Sequence, residues 1–557
     1  MKMHLILLAL LLAPFQGVET ASIQGRVLRA GTSEPIAGAR VTVIRNNAAV
    51  RSGRVVATAD DAGAFVLRDL EPGDYRLSFA ARGYADQEYG QKLPHTEGKL
   101  IEVTSGQAIR DLVVRMVPGG SVEGRVRDAE DNLVAGVSVE VLRFGMTLEG
   151  KRELFVEAAD TTNDRGEYRL FWLTPGSYYL RAGGAGSRSR IDFDSNSGGY
   201  KLDGNQVIEP FAATFYPNST SAESATLLGI PPGADLKGID FRVQRQRLFR
   251  IRGRVIDTRT GQPPAGASIA ISGERFGTSP WPDHYNRATG TFELKNLRPG
   301  TYKVLAILSD ADPVKARQYP DTGVPQPAGF ATVRISDNDA DDVVLRLLPP
   351  VSLSGRVVLE TGEPLPSDIR IELQNPEGSP NGVFLPSWLN APISAAGTFR
   401  IPQIVEGTYN IAVSDPMYFV KQARYAGADV AGSPLKFTGD ASSTLEVVIS
   451  SRVSRLSGTV TDSLLQPSAG AQVVLVPDNR RDNREFYYVA TTDARGRYTL
   501  ENIWPGDYKL FAWEAIEYSQ WFDPNILKRY EPQAQPVQLG ESNRKTLDLK
   551  HIPADAP

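Results

Sequence analysis

Apolar and polar residues alternate along most of this chain with the period of two that a half-buried β-strand requires. Phe65 and Leu67 share one face ahead of a turn, and Tyr75 and Leu77 share it afterwards. The pattern itself recurs. Five times a glycine is followed two residues on by an aromatic and ten on by a second glycine, with a tyrosine two further. The runs are Gly63-Phe65-Gly73-Tyr75, Gly166-Tyr168-Gly176-Tyr178, Gly290-Phe292-Gly300-Tyr302, Gly397-Phe399-Gly407-Tyr409 and Gly496-Tyr498-Gly506-Tyr508. Each run predicts two strands joined by a tight turn. In four copies that turn is Pro-Gly (Pro72, Pro175, Pro299, Pro505), where proline presets its backbone and glycine accepts a positive φ; Glu406 stands in its place in the fourth. The tyrosine past the turn is amphipathic, so its ring is expected in the core and its hydroxyl on nearby backbone.

Every copy opens on a further alternating strand with a central glycine: Ile23-Gly25-Val27, Val122-Gly124-Val126, Ile251-Gly253-Val255, Leu353-Gly355-Val357 and Leu456-Gly458-Val460. A strand-interior glycine implies that another backbone or a large ring needs the space. From opening glycine to turn glycine is 48, 52, 47, 52 and 48 residues, whereas the openings lie 99, 129, 102 and 103 apart. Variation is thus confined to loops and tails. A unit of about 100 residues with this strand spacing has the size of an antiparallel sandwich with its own core. The expected fold is all-β, a tandem array of five antiparallel β-sandwiches: residues 22–118, 119–247 with an insertion, 248–349, 350–452 and 453–557. Short junctions such as Pro118-Gly119-Gly120 and Pro349-Pro350 predict touching neighbours in a semi-rigid rod or a curved stack.

On these openings, Pro-Gly turns and tyrosines the units resemble carboxypeptidase regulatory-like domains, the transthyretin-like seven-stranded sandwiches appended to zinc metallocarboxypeptidases. Similar domains head many TonB-dependent receptors and occur in tandem in secreted acidobacterial proteins. The resemblance implies a fold and leaves function open, since domains that accompany enzymes need not be enzymes.

Lys2, the apolar run Leu5 to Ala13 and the small or polar residues from Gly17 to Ala21 read as a secretory signal peptide over 1–21. No cysteine stands there to take lipid, and the chain has none at all, so disulfide stapling is excluded. The expected location is secreted, periplasmic or outer-surface associated, with no integral membrane segment after cleavage. The 61 basic and 65 acidic residues are well mixed, which gives no footing for nucleic acid. The cluster Arg242, Arg245, Arg247, Arg250, Arg252 and Arg254 reads as the solvated face of a strand. Of four histidines, His4 falls in the signal and His95, His284 and His551 are scattered. The residues three after them are Gly98, Arg287 and Ala554, so the His-x-x-Glu pair of a zinc peptidase is missing. No nucleophile elbow, phosphate loop or dinucleotide fingerprint occurs. The first strands carry no inward lysine for the isopeptide bond of the related collagen-adhesin repeats. The chain is expected to be no enzyme and to need no cofactor.

Two loops invite calcium. Asp192, Asp194, Asn196 and Asp203 have oxygen ligands at calcium-loop spacing, although Gly198 falls one place late and the bidentate glutamate is absent; Asp337, Asp339 and Asp341 are the other set. The bland alternative is a solvated turn. For an organic ligand the fifth repeat stands out, because Trp513 and Trp521 lie in one stretch with Glu514, Glu517 and Asp523. Rings that stack on sugar faces beside hydroxyl-binding carboxylates suit a polysaccharide. The competing reading is that these rings close the end of the last sandwich. Tyr200, Phe211, Phe215 and Tyr216 offer a second surface. The expected function is a secreted, non-enzymatic binding or scaffold protein for carbohydrate or the cell envelope. The alternative is a protein-interaction spacer, an adhesin, or an accessory subunit for a separate peptidase or TonB-dependent transporter.

Overall fold

The computed structural model describes residues 20–45, 55–147, 152–184, 193–194, 199–202, 206–207, 211–273, 276–277, 285–309, 326–374, 389–404, 406–439, 442–481 and 483–554. The first repeat shows the plan. Strands β1 (Ala21–Arg29), β2 (Arg40–Arg45), β3 (Val55–Thr58), β4 (Ala64–Leu70), β5 (Gly73–Ala80), β6 (Gln87–Glu88), β7 (Ile101–Val103) and β8 (Ala108–Met116) form two sheets. One has the order β4-β1-β8; the other is β3-β2-β5-β6, with β7 also on β5. The two strands joined by the Pro-Gly turn therefore belong to opposite sheets, and the turn is the corner between them.

The same plan recurs along the chain, and alternation explains its interior. Five clusters of buried apolar residues each draw on one stretch: Ala21 to Met116, Val122 to Val243, Phe249 to Leu347, Leu353 to Ile449 and Leu456 to Leu539. In four copies the tyrosine past the turn packs its ring against the core, and its hydroxyl donates to the carbonyl four residues back. The pairs are Tyr75 to Glu71 at 2.7 Å, Tyr178 to Thr174 at 2.7 Å, Tyr302 to Arg298 at 2.9 Å and Tyr508 to Trp504 at 2.7 Å. One pairing departs from the antiparallel expectation: each opening strand lies parallel to a late strand, as β1 does to β8 and Phe249–Asp257 to Ala340–Leu347. That pairing explains the opening glycines. A Cβ at Gly25, Gly253 or Gly458 would collide with the carbonyl of Leu112, Val343 or Leu547 on the parallel neighbour, and at Gly253 also with the Phe292 ring.

Neighbouring units touch, as the short junctions require. Gly119 N–H donates to Gly83 O at 3.0 Å, and Gln403 Nε2 donates to Gln326 O at 3.0 Å. Near the last junction Lys421 and Arg452 share Glu360 and Glu541, while Trp504 meets Phe419 at 6.2 Å. The last unit also reaches the first two. Gln472 Nε2 donates to Glu97 at 3.1 Å, and Arg484 donates to Thr147 O at 3.2 Å. The array is therefore closed on itself, which excludes the open rod.

Candidate functional site

The stretch singled out for its rings follows the strand Gly506–Trp513, whose inward face fills the sandwich. Its outward face is covered too. Val474, Val476, Phe511, Trp513, Ile516, Trp521, Leu527 and Ile552 form a second core against the opposite face of the same sheet. Hence the strand Gln472–Pro477 is buried at every position. Trp513 and Trp521 are only 1% and 2% exposed. Trp513 stacks on Phe511 at 4.8 Å and meets Tyr530 edge-on at 5.9 Å. Neither indole offers a face to a sugar. Their Nε1–H groups find no acceptor among the described residues, so packing alone holds the rings in place. The exposed ring of this stretch is Tyr518.

The carboxylates of the stretch are engaged as well. Asp523 caps the helix Pro524–Tyr530 by accepting the Asn525 N–H at 2.8 Å, an ordinary N-cap role. Glu514 pairs with Lys92 of the first unit at 3.1 Å and accepts the Ala554 N–H at 3.1 Å. Burial pushes Glu514 up, but those two partners outweigh it and hold the carboxyl below its ordinary value. Glu517 pairs with Arg143 of the second unit and accepts from Gln520 at 2.9 Å. Burial raises its pKa against the pull of Arg143. Arg143 also pairs with Glu157, which lies 3.8 Å from His95 Nδ1 of the first unit. Burial lowers the His95 pKa, with Glu157 opposing.

Three units thus meet at Arg143, around a cleft of about 420 Å³ between the loop at 93–96, the Pro175-Gly176 turn and the helix Pro524–Tyr530. The charged groups around Arg143 answer one another. The arrangement locks units together.

The first calcium loop lies largely outside the described residues, which hold only Asp194 of its four ligands, on the strand Phe193–Asp194. The second is occupied by arginine: Arg252 pairs with Asp341 at 2.7 Å and Asp339 at 3.3 Å, and Asp339 accepts the Arg250 N–H at 2.9 Å. Among the described residues no group of three acidic, histidine or cysteine side chains is placed to hold a metal. Phe215 is buried on the outer face of the second unit with Leu142 and Ala222, and Phe211 and Tyr216 pack against that unit's main core. In the arginine cluster Arg242 pairs with Asp131 at 2.7 Å and Arg250 with Glu293 at 3.0 Å, while Arg245 and Arg247 lie over the rings of Phe211 and Phe249.

Residues 22–117 and 455–550 match the carboxypeptidase regulatory-like domain. These two matched stretches are the ones that Lys92 and Glu514 join. No curated protein matches the chain. Among solved structures, a streptococcal ancillary pilin is 14% identical, with 59% of this chain and 100% of that one covered at a TM-score of 0.22. The major pilin subunit BcpA of Bacillus cereus is 11% identical over 77% of this chain and 98% of its own, at 0.15. The TIE protein of Bacillus anthracis is 14% identical over 59% of this chain at 0.16; the chain covers about half of it, 51%. Each superposes only loosely. No described helix is long and apolar enough to cross a membrane.

His95 and Arg143 were invisible as site residues in the sequence, because the contacts that define them join residues 374 apart, as in Arg143 with Glu517.

Proposed function

We propose that this chain is a non-catalytic scaffold of the cell exterior, built of five sandwiches over residues 22–118, 119–247, 248–349, 350–452 and 453–557. It holds a polysaccharide of the envelope or its surroundings on a closed arrangement of units. The observation that carries the scaffold reading is the use made of the 513–523 stretch: its tryptophans are core and its glutamates tie the last unit to the first two. Residues that a lectin would display are engaged in fixing shape. The mutually paired charges at the junction support a structural role for it.

Saccharide binding is tested with the purified chain from residue 22 onward, sedimented with insoluble cellulose, chitin, xylan and peptidoglycan. Saturable retention at about 0.5 M salt, where screening reduces bare charge attraction to roughly 4 Å in range, is the expected result. Absence of retention across the panel overturns the polysaccharide part. The reading of an adhesin or spacer for a protein partner then takes its place, favoured by the same closure of the array.

A further inference from the structure

The repeats can be compared with one another at the residue four before the turn glycine, where the hairpin strand slips register against the opening strand. In three copies this residue is left-handed: Asp69 at φ 58°, Asn502 at φ 56° and Trp172 at φ 60°. Asp and Asn adopt that conformation readily, whereas a bulky side chain there is an outlier. Trp172 is moreover 46% exposed, and Phe171 beside it 53%. Their rings meet edge to face at 4.8 Å. Folding would favour a small polar residue at this corner. A strained, solvent-facing tryptophan asks for another explanation.

The surroundings supply one. Phe171 is the next outward-facing residue after Glu167 and Arg169 on the strand Glu167–Leu173, and it lies opposite Ser121 in register. Beyond it runs an open groove of about 730 Å³ lined by Glu123, Arg125, Glu167, Arg169 and Asp240. Its charges are largely paired: Arg125 with Glu167 at 3.0 Å, Lys237 with Glu123 at 3.2 Å and with Asp235 at 3.4 Å. Resting on the reading of a polysaccharide-binding scaffold, we propose that Phe171 and Trp172 are a stacking platform for a neutral saccharide chain that continues along this groove. Carboxylates accept from sugar hydroxyls and guanidinium groups donate to them, while the C–H face of a pyranose covers a ring. An anionic polymer would meet Glu123, Glu167, Asp235 and Asp240. A protein partner needs roughly 800 Å² on its side and an interface core poor in charge, against two rings on a charged face here.

The experiment sediments the chain with insoluble cellulose, chitin and xylan, comparing wild type with Trp172→Asn and Phe171→Ser, and records the melting temperature of each. Both side chains are exposed, and Asn already occupies the equivalent corner at Asn502. Retention at least tenfold weaker in both variants, with the melting temperature of Trp172→Asn equal to or above wild type, supports the platform. Retention unchanged in the variants overturns it while leaving the scaffold's polysaccharide reading intact. No retention of wild type overturns both. A drop in melting temperature with Trp172→Asn makes the ring structural. A concentration-dependent dimer lost in the same variant makes the pair a contact between copies of this chain; either result sinks the platform.

Discussion

Glu485 sets a pH dependence on the joint between the last unit and the one before it. It lies in the short helical turn Arg484–Phe486, near Gln374 and Glu372 of the preceding unit. Burial raises its pKa from 4.5 to about 7; a hydrogen bond from Gln374 opposes the rise and the Glu372 charge adds to it. Its Oε2 has no hydrogen-bond partner. The folded-state value is above the unfolded one, so the native joint keeps a proton that the opened chain has already released. The contribution is fully present below pH 4.5 and is lost as pH rises through about 7, a difference of roughly 3 kcal/mol. Glu485→Gln keeps the shape and removes the titration. Urea unfolding between pH 5 and 9, followed by tryptophan fluorescence, reads the effect. Trp504 is well placed to report it, packed 5.0 Å from Phe486 and 6.2 Å from Phe419. Wild type is expected to lose up to ~3 kcal/mol between pH 5 and 8 while the variant stays flat and is the more stable at pH 8. Parallel pH profiles for the two proteins would refute the reasoning.

Three further outcomes follow from the junctions and the last unit. Arg143→Ala leaves Glu157 and Glu517 facing each other without their cation and is expected to weaken docking by roughly 3 kcal/mol, read as an expanded particle in small-angle scattering. Trp513→Ala should cost about 3–5 kcal/mol of stability in thermal unfolding, because the ring is core; a variant as stable as wild type contradicts that placement. Glu531 is held down to about 2 by hydrogen bonds from Arg481 and Lys509. Its contribution is present above pH 4.5 and lost as pH falls toward 2, so Glu531→Gln should show a shallower loss of last-unit stability in an acid titration.

The repeat plan was legible because strands, corners and core tyrosines depend on local spacing. Gly73 and Tyr75 specify a corner and its hydroxyl bond whatever surrounds them. The parallel closure was not legible, since the glycine at Gly25 announces a crowded neighbour without saying that it is Leu112 on a strand running the same way. The candidate site failed for a related reason. A tryptophan beside carboxylates has one composition whether it faces water or a second layer, and the layer over Trp513 is assembled from Leu527 and Ile552, residues outside the ring-rich stretch. Trp172 was legible in principle, by aligning it with Asp69 and Asn502, but only the backbone angle shows what that alignment means.

Docking of the last unit on the first is what closes the array. Lys92 Nζ lies 3.1 Å from Glu514, within reach of a zero-length carbodiimide cross-link, and Lys509 with Glu531 is a control pair inside the last unit. Peptide mapping by mass spectrometry of the monomeric, cross-linked chain is expected to recover both links. Recovery of Lys509–Glu531 without Lys92–Glu514 would mean that the array is open and would contradict a closed scaffold.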